Sequence, residues 1–265
     1  MKNILLIIAV ISAPLSAQNM LEVLADGPLE KKTEAMLHMG YAGNKSGFWY
    51  YVKYLNYSQK ENDSHDIVMA RCAAAEALGR IKDDRAIKYL TERFSVEKND
   101  TVKAKILFAL SFYKSPDIIP VLSSALDSEN ENVRFQAILT SSVSGDTSLA
   151  GKIENIKNTS KDTAFTSAAA FFLANNKIDR DKNIQMLKDL LKDINPDARF
   201  WSARNLSLLD ETSAIPDLVR AAEIENKYWA AIEIDMALNH LYFVKREKRS
   251  RRLSEQTDFV TDGSK

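Results

Sequence analysis

The residue types that most often carry out chemistry in proteins are few in this chain and lie far apart. Its three histidines, His38, His65 and His240, never fall at the i and i+4 spacing with which a helix presents two metal ligands. The single cysteine, Cys72, has no partner for a disulfide or a thiolate cluster, and we interpret it as a small buried helix residue. No glycine-rich phosphate loop and no Gly-x-Ser-x-Gly elbow is present. We therefore predict no catalytic residue, no metal and no cofactor.

The adjacent carboxyl groups of Asp83 and Asp84 are the best candidates for acid and base catalysis. They lie at a corner between two short apolar segments, where an aspartate typically accepts hydrogen bonds from the free N–H groups of a helix start. The sequence therefore favours a helix cap with a solvated neighbour over paired catalytic acids.

Aromatic residues crowd residues 48–57 and provide stronger evidence for a binding surface. A helix of about ten residues cannot bury all of them against one neighbour, and the spacing of Phe48, Tyr51 and Leu55 predicts that these three face the core. Exposed Trp and Tyr side chains commonly anchor protein interfaces. We predict partly exposed, partner-binding side chains at Trp49, Tyr50, Tyr54 and Tyr57. Packing of these four under the preceding chain is an equally open interpretation.

A second aromatic group comprises Trp201, Arg204 and Trp229, which we also predict to bind a partner. Aromatic rings beside an arginine could stack on a nucleic-acid base, with Asp197 or Asp235 assisting base excision. The body of the chain argues against nucleic acid, because residues 18–244 hold 28 basic and 32 acidic residues.

The charge distribution changes near the end of the sequence. Residues 245–252 read KREKRSRR, with six basic residues and one acidic residue. Contact with an anionic membrane or an acidic partner is one interpretation, and a solvated tail that covers the last repeat is the other. The first interpretation assigns this contact to Lys245, Arg246, Lys248, Arg249, Arg251 and Arg252.

An internal repeat determines which elements position these residues. A pattern of an apolar helix, a polar corner and a second apolar helix returns about every 31 residues, beginning at Ala70, Val102, Val133, Ala164 and Ala198. The corners hold equivalent capping residues at Asp83, Ser115, Asp146 and Glu211. A column of cations, Arg71, Lys103, Arg134 and Arg199, is expected to pair with acids of adjacent repeats. Such units cannot bury both faces alone, so they must stack.

The repeat resembles the short HEAT-like subclass known from phycobilisome lyases. Residues 70–90, ARCAAAEALGRIKDDRAIKYL, nearly match its ideal unit, with an Ala pair, Ala-Leu-Gly, an Asp-containing corner and Ala-Ile-x-x-Leu in order. The resemblance implies an all-α fold, a right-handed α-solenoid of about six to seven helix-turn-helix repeats. Residues 242–252 would form a degenerate second helix that closes the last repeat. The resemblance implies little about activity, because such repeats form scaffolds, adaptors and a few enzymes.

The N-terminal residues resemble a secretory signal. Lys2 precedes the apolar run of residues 4–11, and the small residues Ser16 and Ala17 follow, which predicts cleavage after Ala17. Gln18 stands where a lipoprotein has its acylated cysteine, so we do not expect lipid anchoring. The predicted organisation is a signal peptide (residues 1–17), a repeat solenoid (18–245) and a basic, then polar tail (246–265).

These features lead to a functional hypothesis. We expect an exported, soluble, periplasmic scaffold or adaptor that binds a protein or peptide in the cell envelope, with no nucleic acid and no enzymatic activity. The alternative is an enzyme on the same scaffold, a lyase, isomerase or base-excision type, with its site in the concave groove.

Overall fold

The computed structural model describes residues 17–58 and 63–262, and every regular element within them is a helix. The predicted all-α fold of stacked helix pairs is confirmed. The predicted signal peptide lies outside the described residues apart from Ala17. The chain forms two compact units, one ending at Ser144 and one beginning at Gly145. None of the described helices is long and apolar enough to cross a bilayer.

The first unit contains eight of the described α-helices. The first helix of each helix pair packs beside the first helix of the next pair, in the order α2, α4, α6 and α8. Short 3-10 turns precede α3 and α7. The helices are α1 (Ala17–Asp26), α2 (Leu29–Tyr41), α3 (Phe48–Leu55), α4 (His65–Arg80), α5 (Arg85–Val96), α6 (Asp100–Leu110), α7 (Ile119–Leu126) and α8 (Glu131–Ser144).

Helix α4 is rich in alanine because other helices pack closely on both of its sides. All ten residues from 70 to 79 are buried, because α2 lies on one side of the helix and α6 on the other. A β-carbon on Gly79 would lie 2.8 Å from the Ala109 Cα atom, and one on Gly40 would lie 2.7 Å from that of Ala77. Small residues at these two contacts therefore let the helix backbones approach closely.

The second unit contains the remaining described helices, and all but the first of them contribute to one apolar core. They are α9 (Ala150–Thr159), α10 (Thr163–Asn175), α11 (Arg180–Leu190), α12 (Pro196–Leu208), α13 (Ile215–Ile224) and α14 (Tyr228–Asp262). Helix α14 packs against α12 and α13 and continues for 35 residues without a corner. The predicted second helix after Leu241 is therefore wrong, because residues 242–252 extend α14 instead.

The predicted corner residues are confirmed. Each accepts a hydrogen bond from the backbone N–H group two residues later, and these residues are Asp83, Ser115, Asp146 and Glu211. This contact satisfies a donor that would otherwise be free at the start of a helical turn.

The column of cations forms the expected ladder only in part: Arg71 pairs with Asp63 in the linker before its repeat, but the column also makes many short-range contacts. Its three arginines each donate to two consecutive backbone carbonyls of the corner before their own helix: Arg71 to Tyr57 and Ser58, Arg134 to Ser128 and Glu129, and Arg199 to Asp193 and Ile194. Lys103 pairs with Asp100 on its own helix. The arginines bind at the preceding corner because free backbone carbonyls lie within reach of their guanidinium groups there.

Two of these arginines also fix the next corner along the chain. Arg71 and Arg199 each bind a glutamate 26 residues later, Glu97 and Glu225 respectively. Each glutamate in turn accepts hydrogen bonds from the two backbone N–H groups that follow it. Equivalent positions in two repeats therefore hold the same arrangement of an arginine, a glutamate and two backbone N–H groups, which we term the clasp.

Candidate functional site

The aromatic group of the first unit divides into two parts. Trp49 is 62% exposed and makes edge contacts with Phe48 and Tyr89, with ring centroids 5.1 and 6.0 Å apart. The Arg85 guanidinium lies 4.4 Å from the centre of the Phe48 ring. Helices α3 and α5 thus hold an exposed Trp against a supporting ring and a cation, an arrangement typical of a binding surface.

Exposure was predicted wrongly for one of the four aromatic candidates. Tyr54 is only 3% exposed, because its ring packs against Tyr57 with centroids 5.4 Å apart and the Lys32 ammonium group lies 5.6 Å from its centre. Tyr57 is exposed and Tyr50 is half-buried. The predicted core positions Phe48 and Tyr51 are buried. The structure therefore leaves Trp49 as the most exposed member of the group.

An open groove in the same unit lies between α5 and the corner before α7. Its volume is about 510 Å³, and its lining includes two carboxyl and two ammonium side chains, those of Asp84, Asp117, Lys88 and Lys114. Asp83 is not part of this lining. Hydrogen bonds from Arg85 lower the pKa of Asp83 to about 2, so this carboxyl is ionised and serves the corner, as predicted.

The second unit brings together the three residues of the second aromatic group. Phe200 contacts Trp201 and Trp229, with ring centroids 5.3 and 5.7 Å apart, and so joins α12 to the start of α14. Arg204 lies 5.9 Å from the Trp201 ring and 3.9 Å from the Glu233 carboxylate. Trp229 and Arg204 are exposed and Trp201 is half-buried. Phe200 thus links Trp201 to Trp229, and their role in partner binding stays a prediction.

Helix α14 extends this surface along a row of exposed apolar side chains. Its buried residues up to position 241 are Ala230, Ile234, Ala237 and Leu241. At 3.6 residues per turn, the opposite side carries a second apolar row, which we term the uncovered face of α14: Tyr228, Ile232, Met236 and Phe243. Tyr228 is 81% and Met236 60% exposed. No helix of the described residues covers this row.

The basic end of α14 lies beside the corner that precedes α13. Thr212 of the corner and side chains of α14 line an open groove of about 730 Å³, which we term the basic groove; the α14 residues are Tyr242, Lys245, Arg246, Lys248 and Arg249. Lys248 donates to the Asp210 carbonyl oxygen, at 3.3 Å. Of the six predicted contact residues, four therefore line one groove, Arg251 is exposed outside it, and the Arg252 side chain lies outside the described residues.

The carboxyl groups with shifted pKa values are ionised partners of cations or polar groups. Although burial alone would raise the pKa of Glu76, hydrogen bonds from Lys105 and Arg80 hold it below its ordinary value. The Arg199 guanidinium likewise lowers the pKa of Glu225. Burial raises the pKa of the Cys72 thiol to about 11, which keeps it protonated at neutral pH.

Among the residues that the structure describes, no group of three or more His, Cys, Asp or Glu side chains is placed to hold a metal ion.

Sequence reasoning missed two parts of these surfaces. Tyr89 supports Trp49 from the following repeat, and the uncovered face of α14 lies beyond Trp229. The spacing of Tyr228, Ile232 and Met236, four residues apart, is the signal that predicts such a face. The sequence pattern did not reveal this face, because the same helix carries a row of core residues at similar spacing.

Comparisons with known proteins agree on the fold. The family model described as PBS lyase HEAT-like repeat matches residues 70–95, the repeat that contains α4 and α5. The chain is similar to a solved structure of the complex of CpcE and CpcF of phycocyanin lyase from Nostoc sp. PCC7120, with a TM-score of 0.67 and 15% identity, over 88% of this chain and 97% of that one.

A second solved structure, human deoxyhypusine hydroxylase in complex with glycerol, aligns with a TM-score of 0.37 and 16% identity, over 86% of this chain and 84% of that one. No curated protein matched the chain. The resemblance to HEAT-like repeats is therefore confirmed: the chain has the helical-repeat scaffold of the phycocyanin lyase structure.

Proposed function

We propose that this HEAT-like repeat protein is an exported adaptor that binds a protein partner in the cell envelope without catalysing a reaction. The observation that carries the proposal is the uncovered face of α14 and its continuation into the cluster of Phe200, Trp201 and Trp229. An exposed group of apolar and aromatic side chains of this kind is typical of protein-binding sites.

The position of this face in the repeat pattern supports the proposal. In the second unit α10 packs on α12 and α12 packs on α14, so each first helix covers the preceding one. The uncovered face of α14 is the side opposite the one that α12 and α13 occupy. A partner that covers it would bury the exposed part of four large apolar side chains, which stabilises a complex by about 25 cal/mol per Å² of apolar surface removed from water. The similarity to one chain of a two-protein lyase complex also favours a protein partner.

An enzyme on the same scaffold is the alternative, and the phycocyanin lyase structure gives it some support. The groove lined by Asp84 and Asp117 would be its candidate site. A general acid that works at neutral pH needs a raised pKa. The carboxyl groups with shifted pKa in this chain are shifted downwards, for example Glu76 and Glu225, which favours a structural role for them.

Export and a periplasmic location belong to the proposal through the predicted signal at residues 1–17. The mature protein recovered from the periplasm should begin at Gln18, as measured by intact mass. Recovery from the cytoplasm with residues 1–17 retained would contradict export. A weak accessory contact between the basic end of α14 and an anionic membrane is also proposed.

The experiment for the binding function compares two double variants in envelope extracts. Ile232→Ser/Met236→Ser removes two apolar side chains from the uncovered face, whereas Ile194→Ser/Ile224→Ser removes two exposed ones elsewhere in the second unit. We expect the first variant to capture at least tenfold less of one discrete partner, whereas the control captures as much as the wild type. The helical CD spectra of both variants should be unchanged. Equal capture by both variants would contradict the proposal.

A further inference from the structure

We infer that the basic groove is a binding site for the phosphate-bearing headgroup of an anionic phospholipid. This inference deepens the accessory membrane contact and rests on the proposed envelope location. The groove joins the corner residue Thr212 to one side of α14, so its walls come from two elements.

The arginines of the groove differ from the other arginines of the protein. Each of the nine arginines from Arg71 to Arg220 has a carboxylate oxygen within 4.0 Å. Among residues whose side chains are described, no carboxylate lies within that distance of Lys245, Arg246 or Arg249. The chain thus pairs these nine arginines internally and leaves the three groove cations for an external anion.

The groove has a size and lining that suit a headgroup. Its volume of about 730 Å³ is within the range of small-molecule sites and far larger than a single ion requires. Lys245, Arg246, Lys248 and Arg249 supply ammonium and guanidinium donors, and the guanidinium group can bind phosphate oxygens with two parallel hydrogen bonds. No carboxylate is part of the lining to repel an anion.

Exposed aromatic side chains beside the cations favour a membrane surface as the source of the phosphate. Tyr242 lines the groove and is 45% exposed, and the next residue, Phe243, is exposed as well. Helices that bind at a lipid interface combine basic residues with such aromatic side chains, which enter the headgroup region.

Vesicle co-sedimentation of the purified mature protein tests the inference. The variant Arg246→Gln/Arg249→Gln is compared with Arg220→Gln/Lys227→Gln, a control with the same change in charge on exposed residues of the same unit. On phosphatidylglycerol-containing vesicles we expect the groove variant to bind about 25-fold more weakly, at about fivefold per cation, and the control to change less than about threefold. On phosphatidylcholine vesicles no binding is expected from any of the three proteins.

Three outcomes would overturn the inference. Equal weakening by both variants would show that net charge alone acts, and absence of wild-type binding to the anionic vesicles would exclude a membrane site. Displacement by millimolar inorganic phosphate at matched ionic strength, or by an acidic peptide, would assign the groove to a soluble ligand. If the double variant loses its helical CD signal, the single variants give a second series with about fivefold expected for each.

The same variants separate this inference from the adaptor function. Loss of vesicle binding with unchanged partner capture is expected for the groove variant, because the uncovered face of α14 remains intact. If vesicle binding is absent while partner capture persists, only the headgroup site fails.

Discussion

Helices α4 and α14 are both first helices of their repeats, yet they bury very different shares of their side chains. In α4 every residue from 70 to 79 is buried. In α14, over residues 228–241, only Ala230, Ile234, Ala237 and Leu241 are buried. The difference follows from the neighbours, because α4 has a first helix on either side and α14 has α12 on one side only, within the described residues.

This difference shows how a repeat pattern separates structure from function. A first helix needs small residues where two neighbours approach it, as at Gly79 and the alanines of α4. Helix α14 instead carries large apolar side chains on the side away from its core. Such side chains contribute little to the stability of their own unit and are available to a partner.

The largest expected effect is a difference in the free energy of unfolding between substitutions on the two sides of α14. Ile234→Ala should lower the free energy of unfolding of the second unit by about 2–4 kcal/mol, because Ile234 is fully buried and the change leaves a cavity. Ile232→Ala, two residues earlier and exposed, should change it by less than about 0.5 kcal/mol. Urea unfolding followed by CD measures both, and equal effects would show that the two rows are not distinct.

A smaller effect is expected at the clasp that precedes α14. Arg199→Met should cost about 1.5–3 kcal/mol, because Glu225 loses both of its guanidinium hydrogen bonds, at 2.6 and 2.7 Å. Arg220→Met, whose partner Asp217 lies three residues earlier on the same helix and whose own side chain is 60% exposed, should cost less than about 1 kcal/mol. A larger cost at Arg220 than at Arg199 would contradict the structural role of the clasp.

The same clasp predicts a pH dependence. The folded state lowers the pKa of Glu225 below its ordinary value of 4.5, so its stabilising contribution is complete above that pH and is lost as the pH falls below it. The melting temperature of the wild type should therefore fall more steeply below about pH 4.5 than that of Arg199→Met. Parallel pH profiles would show that the pair is not formed in solution.

The smallest stability change tests the close contact between α4 and α6. Gly79→Ala should destabilise the first unit by about 1–2 kcal/mol, since its β-carbon would lie 2.8 Å from the Ala109 carbonyl oxygen. Gly151→Ala, on α9, meets nothing within 4 Å and should be neutral or stabilising by up to about 1 kcal/mol. Stabilisation by Gly79→Ala in a thermal melt would mean that the helices lie farther apart.

The repeat pattern made most of the fold predictable. The corners, the buried Cys72 and the core positions Phe48 and Tyr51 followed from spacing and side-chain chemistry, and the structure confirms them. The run of α14 past Leu241 was also encoded, because residues 242–252 contain no glycine, proline or aspartate to end a helix. The resemblance to a paired repeat led to the wrong expectation there.

The candidate sites were less predictable because exposure depends on contacts between helices. The burial of Tyr54 depends on Tyr57 and on Lys32 of a different helix, neither of which a single-helix pattern includes. The clasp of Arg199 and Glu225 joins positions 26 residues apart and requires the three-dimensional repeat. The cluster of Trp201, Arg204 and Trp229 was predictable because repeat spacing places α12 beside α14.

Site-specific photocrosslinking in the native envelope tests the central claim most directly. A photoreactive phenylalanine analogue is placed at Ile232 on the uncovered face of α14 or at Ile194, which is 96% exposed on the corner before α12. We predict one discrete protein adduct from position 232 and none of the same mass from position 194. Identical adducts from both positions, or none from position 232 while the protein resides in the envelope, would contradict the claim that this face binds a partner.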